Sequence, residues 1–166
     1  MYGRRVAKNH PRIEAVGTID ELNAALGLAR ASSLHALIGD NLAAIQKDLI
    51  VLMGELSVHP DDQDRYVSDG YGLVKPDMTA VLDRLVRQVE GQNLHSAGWA
   101  TPGGNMGSAC LDVARTVCRR AERRVTDLKA AGELQNPEIV VYLNRLSDLL
   151  WLLARWMDAN QKPARA

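Results

Sequence analysis

The sequence predicts an all-α fold, on three observations. Five stretches repeat their apolar residues every three to four positions, the period of a helix with one buried face. No stretch keeps the apolar–polar alternation of a half-buried strand. The segments between the five carry Gly, Pro and Ser and are mostly short, which suits antiparallel neighbours in a five-helix bundle. With 166 residues and 46% apolar content, the chain can bury a core as a single domain, residues 1–166. Phe is absent, so Leu, Val, Ala, three Trp and four Tyr must fill that core.

Met1 to Gly17 is polar and basic and reads as an extended lead-in. Thr18 then opens the first helix as an N-cap, and Glu21, three residues on, completes a capping box. This helix is expected to reach about Ser33, with Ala24, Gly27 and Ala31 as small residues that allow another backbone to approach. The second helix spans about Leu37 to Leu56, where Leu37, Ile38, Leu42, Ile45, Leu49, Leu52 and Met53 hold the helical period. Ser57 to Val74 is polar and glycine-bearing and reads as a loop. Its acidic run Asp61-Asp62-Gln63-Asp64 lacks the glycine and glutamate spacing of an EF-hand calcium loop.

Pro76 starts the third helix, to about Gln92, with Met78, Val81, Leu82, Leu85, Val86 and Val89 on its apolar face. A loop rich in Gly and Pro, SAGWATPGGNMGS, comes next. The fourth helix runs from about Gly107 to Ala131, and Gly132 ends it. The fifth runs from about Pro137 to Asn160.

Composition narrows the function. Twenty basic and twenty acidic side chains leave no net charge, so no global basic field exists to bind nucleic acid or a membrane surface. MYGRRVAKNH has no apolar core, so no signal peptide is expected. The longest apolar run, Leu149 to Ala154, is too short to span a bilayer. Cys110 and Cys118 lie two turns apart on one helix, too far to bridge each other. They read as buried thiols of a reducing compartment, with a cytoplasmic location as the default.

The fourth helix holds the densest chemistry. Ala114 to Arg123, ARTVCRRAER, has four arginines and one glutamate in ten residues. At about 100° per residue, Arg119, Glu122 and Arg123 fall within about 80° of Arg115, in one charged stripe. Ala114, Val117, Cys118, Ala121, Val125 and Leu128 take the opposite face. A guanidinium row suits phosphate or carboxylate, and Glu122 can orient its neighbours. A solvated face of i,i+4 pairs fits the same pattern.

The fifth helix repeats the theme. Asn144, Asp148, Trp151 and Arg155 line up within about 60°, which suggests a polar pocket at the bundle edge or a plain surface stripe. Asp20 reads as a first-turn acid favoured by the helix dipole. Pro102-Gly103-Gly104 precedes a helix N-terminus that could receive an anion, but no Lys-Ser or Lys-Thr follows as in a P-loop, and a turn explains it as well. The four histidines are scattered without metal-ligand spacing, and no nucleophile–base set emerges. The residues alone reach an α-bundle with an arginine-lined polar site suited to a polyphosphate.

Four pieces carry a more specific signal: RVAKNHPRIEAVGTIDELNAALG (Arg5 to Gly27), PGG (Pro102 to Gly104), ARTVCRRAERRV (Ala114 to Val125) and YLNRLSDLLWLLAR (Tyr142 to Arg155). In order and spacing they resemble the PduO-type ATP:cob(I)alamin adenosyltransferases over nearly the whole chain. The resemblance implies a homotrimer with active sites between subunits, where Co(I) of a reduced corrinoid attacks the 5′ carbon of ATP. It implies ATP with Mg²⁺, and cobalamin, as the bound molecules. Lys8, Arg119, Arg120, Glu122, Arg123 and Asn144 match its nucleotide-binding positions. Asp20 and Arg115 match an inter-subunit salt bridge that supports corrinoid binding.

Two departures accompany it. The family's Thr-Gly-Asp-x-Gly-x-Thr segment, which wraps the ATP phosphates, has no counterpart here, because MYGRRVAK aligns with the family positions just C-terminal to that segment. Either this sequence starts after that segment or this homologue lacks it, and in the second case weakened ATP binding, or a cobalamin-binding and delivery paralogue, is the expectation. Trp99 stands where the family has a Phe that presses on the lower corrin face. A cobalamin reductase or an adenosylcobalamin-dependent enzyme is the implied protein partner, and a purely structural bundle is the remaining alternative.

Overall fold

The computed structural model describes residues 1–33, 35–92 and 100–160. Among these there are six α-helices and no strand. They are α1 (Pro11–Ala31), α2 (Ala36–Leu56), α3 (Gln63–Ser68), α4 (Pro76–Glu90), α5 (Met106–Ala130) and α6 (Glu138–Asn160), with a 3-10 turn at Pro60–Asp62. The five long helices are the expected ones. The sixth, α3, is a short helix within the stretch that reads as a loop.

One start differs from the sequence reading. α1 begins seven residues before Thr18, at Pro11, a residue pre-set for the first helical position. His10 caps it: its Nδ1 accepts from the Arg12 backbone N–H at 3.2 Å. Thr18 is therefore mid-helix, and its hydroxyl donates back to the Glu14 carbonyl at 2.7 Å. α5 is capped by Asn105 and Ser108, each side chain bonding the other's backbone N–H, at 2.9 and 3.1 Å.

The core sits among α1, α2, α5 and α6, with α4 packed against the far side of α6. Ala15, Ile19, Leu22, Leu26 and Ala29 of α1 face Leu111, Ala114, Cys118, Ala121 and Val125 of α5. The alanines and the cysteine let these two helices approach closely, and each fully buried leucine contributes about 1.5–3 kcal/mol. α6 is buried nearly all round because it lies between α5 and α4. Cross-helix polar contacts fix its level: Tyr142 donates to Asp48 of α2 at 2.9 Å and Arg145 meets Asp83 of α4 at 2.6 Å.

One end of the bundle is tied by buried charge. Arg12 donates to the carbonyls of Leu56 and Glu133 at 3.1 and 2.7 Å. Glu55 accepts from the Val74 backbone and from Asn136 at 2.7 and 2.9 Å. Asn136 also receives the Glu138 N–H at 3.0 Å and so caps α6. Acidic side chains on either side of α3 serve the chain itself. Arg4 Nε donates to Asp62 at 2.5 Å and Tyr2 to Asp69 at 2.8 Å. The Arg4 guanidinium holds the Asp62 carboxyl below its ordinary range.

Candidate functional site: the arginine face of α5

The predicted seam of α5 is buried as read: Ala114, Val117, Cys118, Ala121, Val125 and Leu128 all lie in the core. Cys110 and Cys118 are buried free thiols. Cys118 faces the Leu143 carbonyl at 3.3 Å, and burial pushes its pKa up, so it is no nucleophile.

Turning the seam inward leaves the guanidiniums along the outer face. Glu122 organises them: its Oε2 lies 2.7 Å from Arg119 Nη1, and its Oε1 accepts from Asn144 Nδ2 at 3.0 Å. One carboxylate thus ion-pairs with a guanidinium on α5 and accepts a hydrogen bond from a carboxamide on α6. Arg120 pairs with Glu21 of α1. Among the described residues Arg123 and Arg124 have no recorded acid partner. An open groove of about 380 Å³ runs along this face, lined by Arg119, Arg120, Glu122, Arg123, Arg124, Thr126 and Asp127. Four arginines against two carboxylates leave it cationic, with several planar N–H forks free for phosphate oxygens.

Arg115 lies at a lower level of α5, about 10 Å along the axis from Glu122. Its Nε donates to Asp112 at 3.2 Å. A second groove, of about 320 Å³ and mainly apolar, is lined there by Pro102, Gly103, Ala109, Asp112, Val113, Arg115 and Thr116. The Pro102-Gly103-Gly104 segment is a turn at its rim, with Gly103 at φ +103°, a conformation that favours glycine.

The structure separates several residues that the sequence groups. Asp20 is exposed in the middle of α1, away from any helix N-terminus, so the dipole reading is replaced by a solvent-facing carboxylate. Within one chain Asp20 does not meet Arg115. Lys8 is exposed ahead of α1 and makes no recorded contact with the stripe. The α6 line also divides. Asn144 and Arg155 both face α5, but eleven residues apart, about 16 Å along the axis. Asn144 meets Glu122, whereas Arg155 is buried against Asp112. Asp148 pairs with Arg145 at 3.3 Å and Trp151 is exposed. They do not form one pocket. Trp99 lies outside the described residues.

Asp112 was missed by sequence reasoning. Its signal was a carboxylate bordering an apolar seam three residues before an arginine.

The cobalamin adenosyltransferase family model matches residues 1–157. Corrinoid adenosyltransferase PduO of Salmonella typhimurium is 40% identical over 166 residues, covering 98% of this chain and 47% of that protein. A cobalamin adenosyltransferase of Cupriavidus metallidurans is 42% identical over 157 residues, covering 94% and 79%. The chain thus spans about half the length of the Salmonella relative. A PduO-type ATP:corrinoid adenosyltransferase of Lactobacillus reuteri, solved as a phenylalanine-to-alanine variant with cobalamin and ATP, superposes with a TM-score of 0.83. It is 29% identical, and the match covers 96% of this chain and 87% of that one.

Proposed function

The chain belongs to the cobalamin adenosyltransferase family, and from that premise we propose that it transfers the 5′-deoxyadenosyl group of ATP to the Co(I) centre of a reduced corrinoid. The cobalt electron pair forms the Co–C5′ bond. The C5′–O bond breaks, and triphosphate leaves with its pair. No protein nucleophile or general base is needed. The chain's task is to hold the two substrates in line and to stabilise charge growing on the triphosphate.

The observation that carries this reading is the Arg119–Glu122–Asn144 clamp beside the arginine-lined groove. Glu122 fixes the orientation of Arg119, so the guanidinium needs little reorganisation when phosphate arrives. Arg120, Arg123 and Lys8 complete the nucleotide side. Arg115 and Asp20 of a neighbouring copy form the corrinoid side in a homotrimer, with Trp99 against the lower corrin face. Mg²⁺ enters with the nucleotide, whose phosphate oxygens suit that hard cation. Residues 1–166 act as one helical domain in the cytoplasm. A cobalamin reductase or an adenosylcobalamin-dependent enzyme is the protein partner. Among the described residues no helix is long and apolar enough to cross a membrane.

The Salmonella and Cupriavidus relatives are adenosyltransferases, which favours transfer over a delivery role. The test is adenosylcobalamin formation from ATP and chemically reduced cobalamin by this chain. Turnover is expected. Cobalamin binding without turnover would instead support the delivery paralogue.

A further inference from the structure

Asp112 is 4% exposed on a helix face that otherwise packs Leu111 and Ala114. A carboxylate at that depth requires charged or polar partners, and it has two. Arg155, 6% exposed, donates to Oδ2, and Arg115 Nε donates to Oδ1 at 3.2 Å. Arg155 Nη2 also lies 3.4 Å from Asp158. Asp158 in turn abuts the Pro-Gly-Gly turn. A Cβ on Gly104 would collide with its carboxylate, and Asn105 Nδ2 reaches it at 3.4 Å while donating to the Met157 carbonyl at 3.1 Å.

Acids and arginines alternate along this row: Asp158, Arg155, Asp112, Arg115. It joins the turn before α5, the end of α6 and the side chain of Arg115. Among the described residues only the Nε of Arg115 is engaged, which leaves both Nη groups as donors for an acid outside the chain. An arginine held on one edge loses less freedom when its other edge is bridged.

We propose that Asp112, backed by Arg155, is a positioning residue that pre-sets Arg115 for the corrinoid side of the site and couples that setting to the Pro102–Asn105 turn. This rests on the adenosyltransferase reading for the role of Arg115. Asp112 touches neither substrate and acts through Arg115 alone.

The test is the paired variant Asp112→Leu with Arg155→Leu, which removes both buried charges together and strands neither. Solvent exchange of the Arg115 Nε–H, read by ¹⁵N NMR, is expected to quicken roughly tenfold, and the corrinoid KM to rise roughly tenfold. The ATP KM should stay within about twofold, because the clamp at Glu122 lies a different distance along α5. Asp112→Glu, with Arg155 kept, should hold both the exchange rate and the corrinoid KM close to those of the unaltered chain. Unchanged Arg115 exchange and unchanged corrinoid KM would overturn the proposal, and so would equal rises in both KM values. If the unaltered chain makes no adenosylcobalamin, the transfer reading fails. The exchange rate still decides whether Asp112 sets Arg115. Should the paired variant not fold, Asp112→Asn is read in the same way.

Discussion

Arg12 and Arg119 sit on adjacent helices of one bundle, yet they use their charge in opposite ways. Arg12 is 7% exposed and spends its donors inside the chain, on two carbonyls and on the Glu133 carboxylate. Around it, Glu55 and Asn136 are equally occupied. Arg119 is half exposed, touches one carboxylate, and keeps N–H groups facing a groove shared with three further arginines. A charge whose hydrogen bonds are all made at home is holding the fold. A charge oriented by one partner, with donors to spare, is prepared for a ligand. The same residue type holds the fold at one end and, on the proposed reading, meets nucleotide on the α5 face, and the satisfied-donor count separates them.

Substitutions can break this contrast from either side. The largest effect is expected at the buried end. Arg12→Ala strands the Leu56 and Glu133 carbonyls and should lower unfolding free energy by about 3 kcal/mol, read from a urea titration. ATP affinity of the folded fraction should be unchanged. A loss of ATP affinity there would blur the division. Glu122→Ala is next. Without its carboxylate Arg119 and Asn144 lose their common anchor, and ATP binding should weaken by about 1–2 kcal/mol. Calorimetric titration checks this, with only a small change in unfolding midpoint.

The smallest effect is a pH dependence. Burial raises the pKa of the Glu55 carboxyl above its ordinary value, against the hydrogen bonds from Val74 and Asn136 that lower it. The folded state therefore binds that proton more tightly than the unfolded chain. Stability associated with Glu55 is full below the ordinary glutamate range and is lost as pH rises through the raised folded value. Asp48, raised by burial beside Tyr142, adds in the same direction. Glu55→Gln should flatten this part of the stability–pH curve. A curve of unchanged slope would remove Glu55 from the account.

The arginine face was legible in the sequence because a 3.6-residue period assigns seam and stripe together, and α5 obeys it from Ala114 to Leu128. The Glu122 clamp was half legible. The orienting role of Glu122 follows from i,i+3 spacing to Arg119, but the bond to Asn144 joins residues 22 positions apart. The start of α1 was obscured because Thr18 with Glu21 imitates a capping box. The working cap is the less common His10 imidazole ahead of Pro11. Asp112 and Arg155, 43 residues apart, carried no local pattern that pairs them. The Arg12–Glu55 hub was hidden for the same reason, since carbonyl acceptors leave no mark in sequence.

The central claim is that the α5 arginine face, and not the buried arginine end, is where nucleotide binds. Calorimetric titration of ATP into the unaltered chain and into Arg119→Ala tests it most directly. Loss of this charge-assisted contact should weaken binding by about 1.5–3 kcal/mol, at least tenfold, with the unfolding midpoint little changed. Equal ATP affinity in the two proteins would contradict the account.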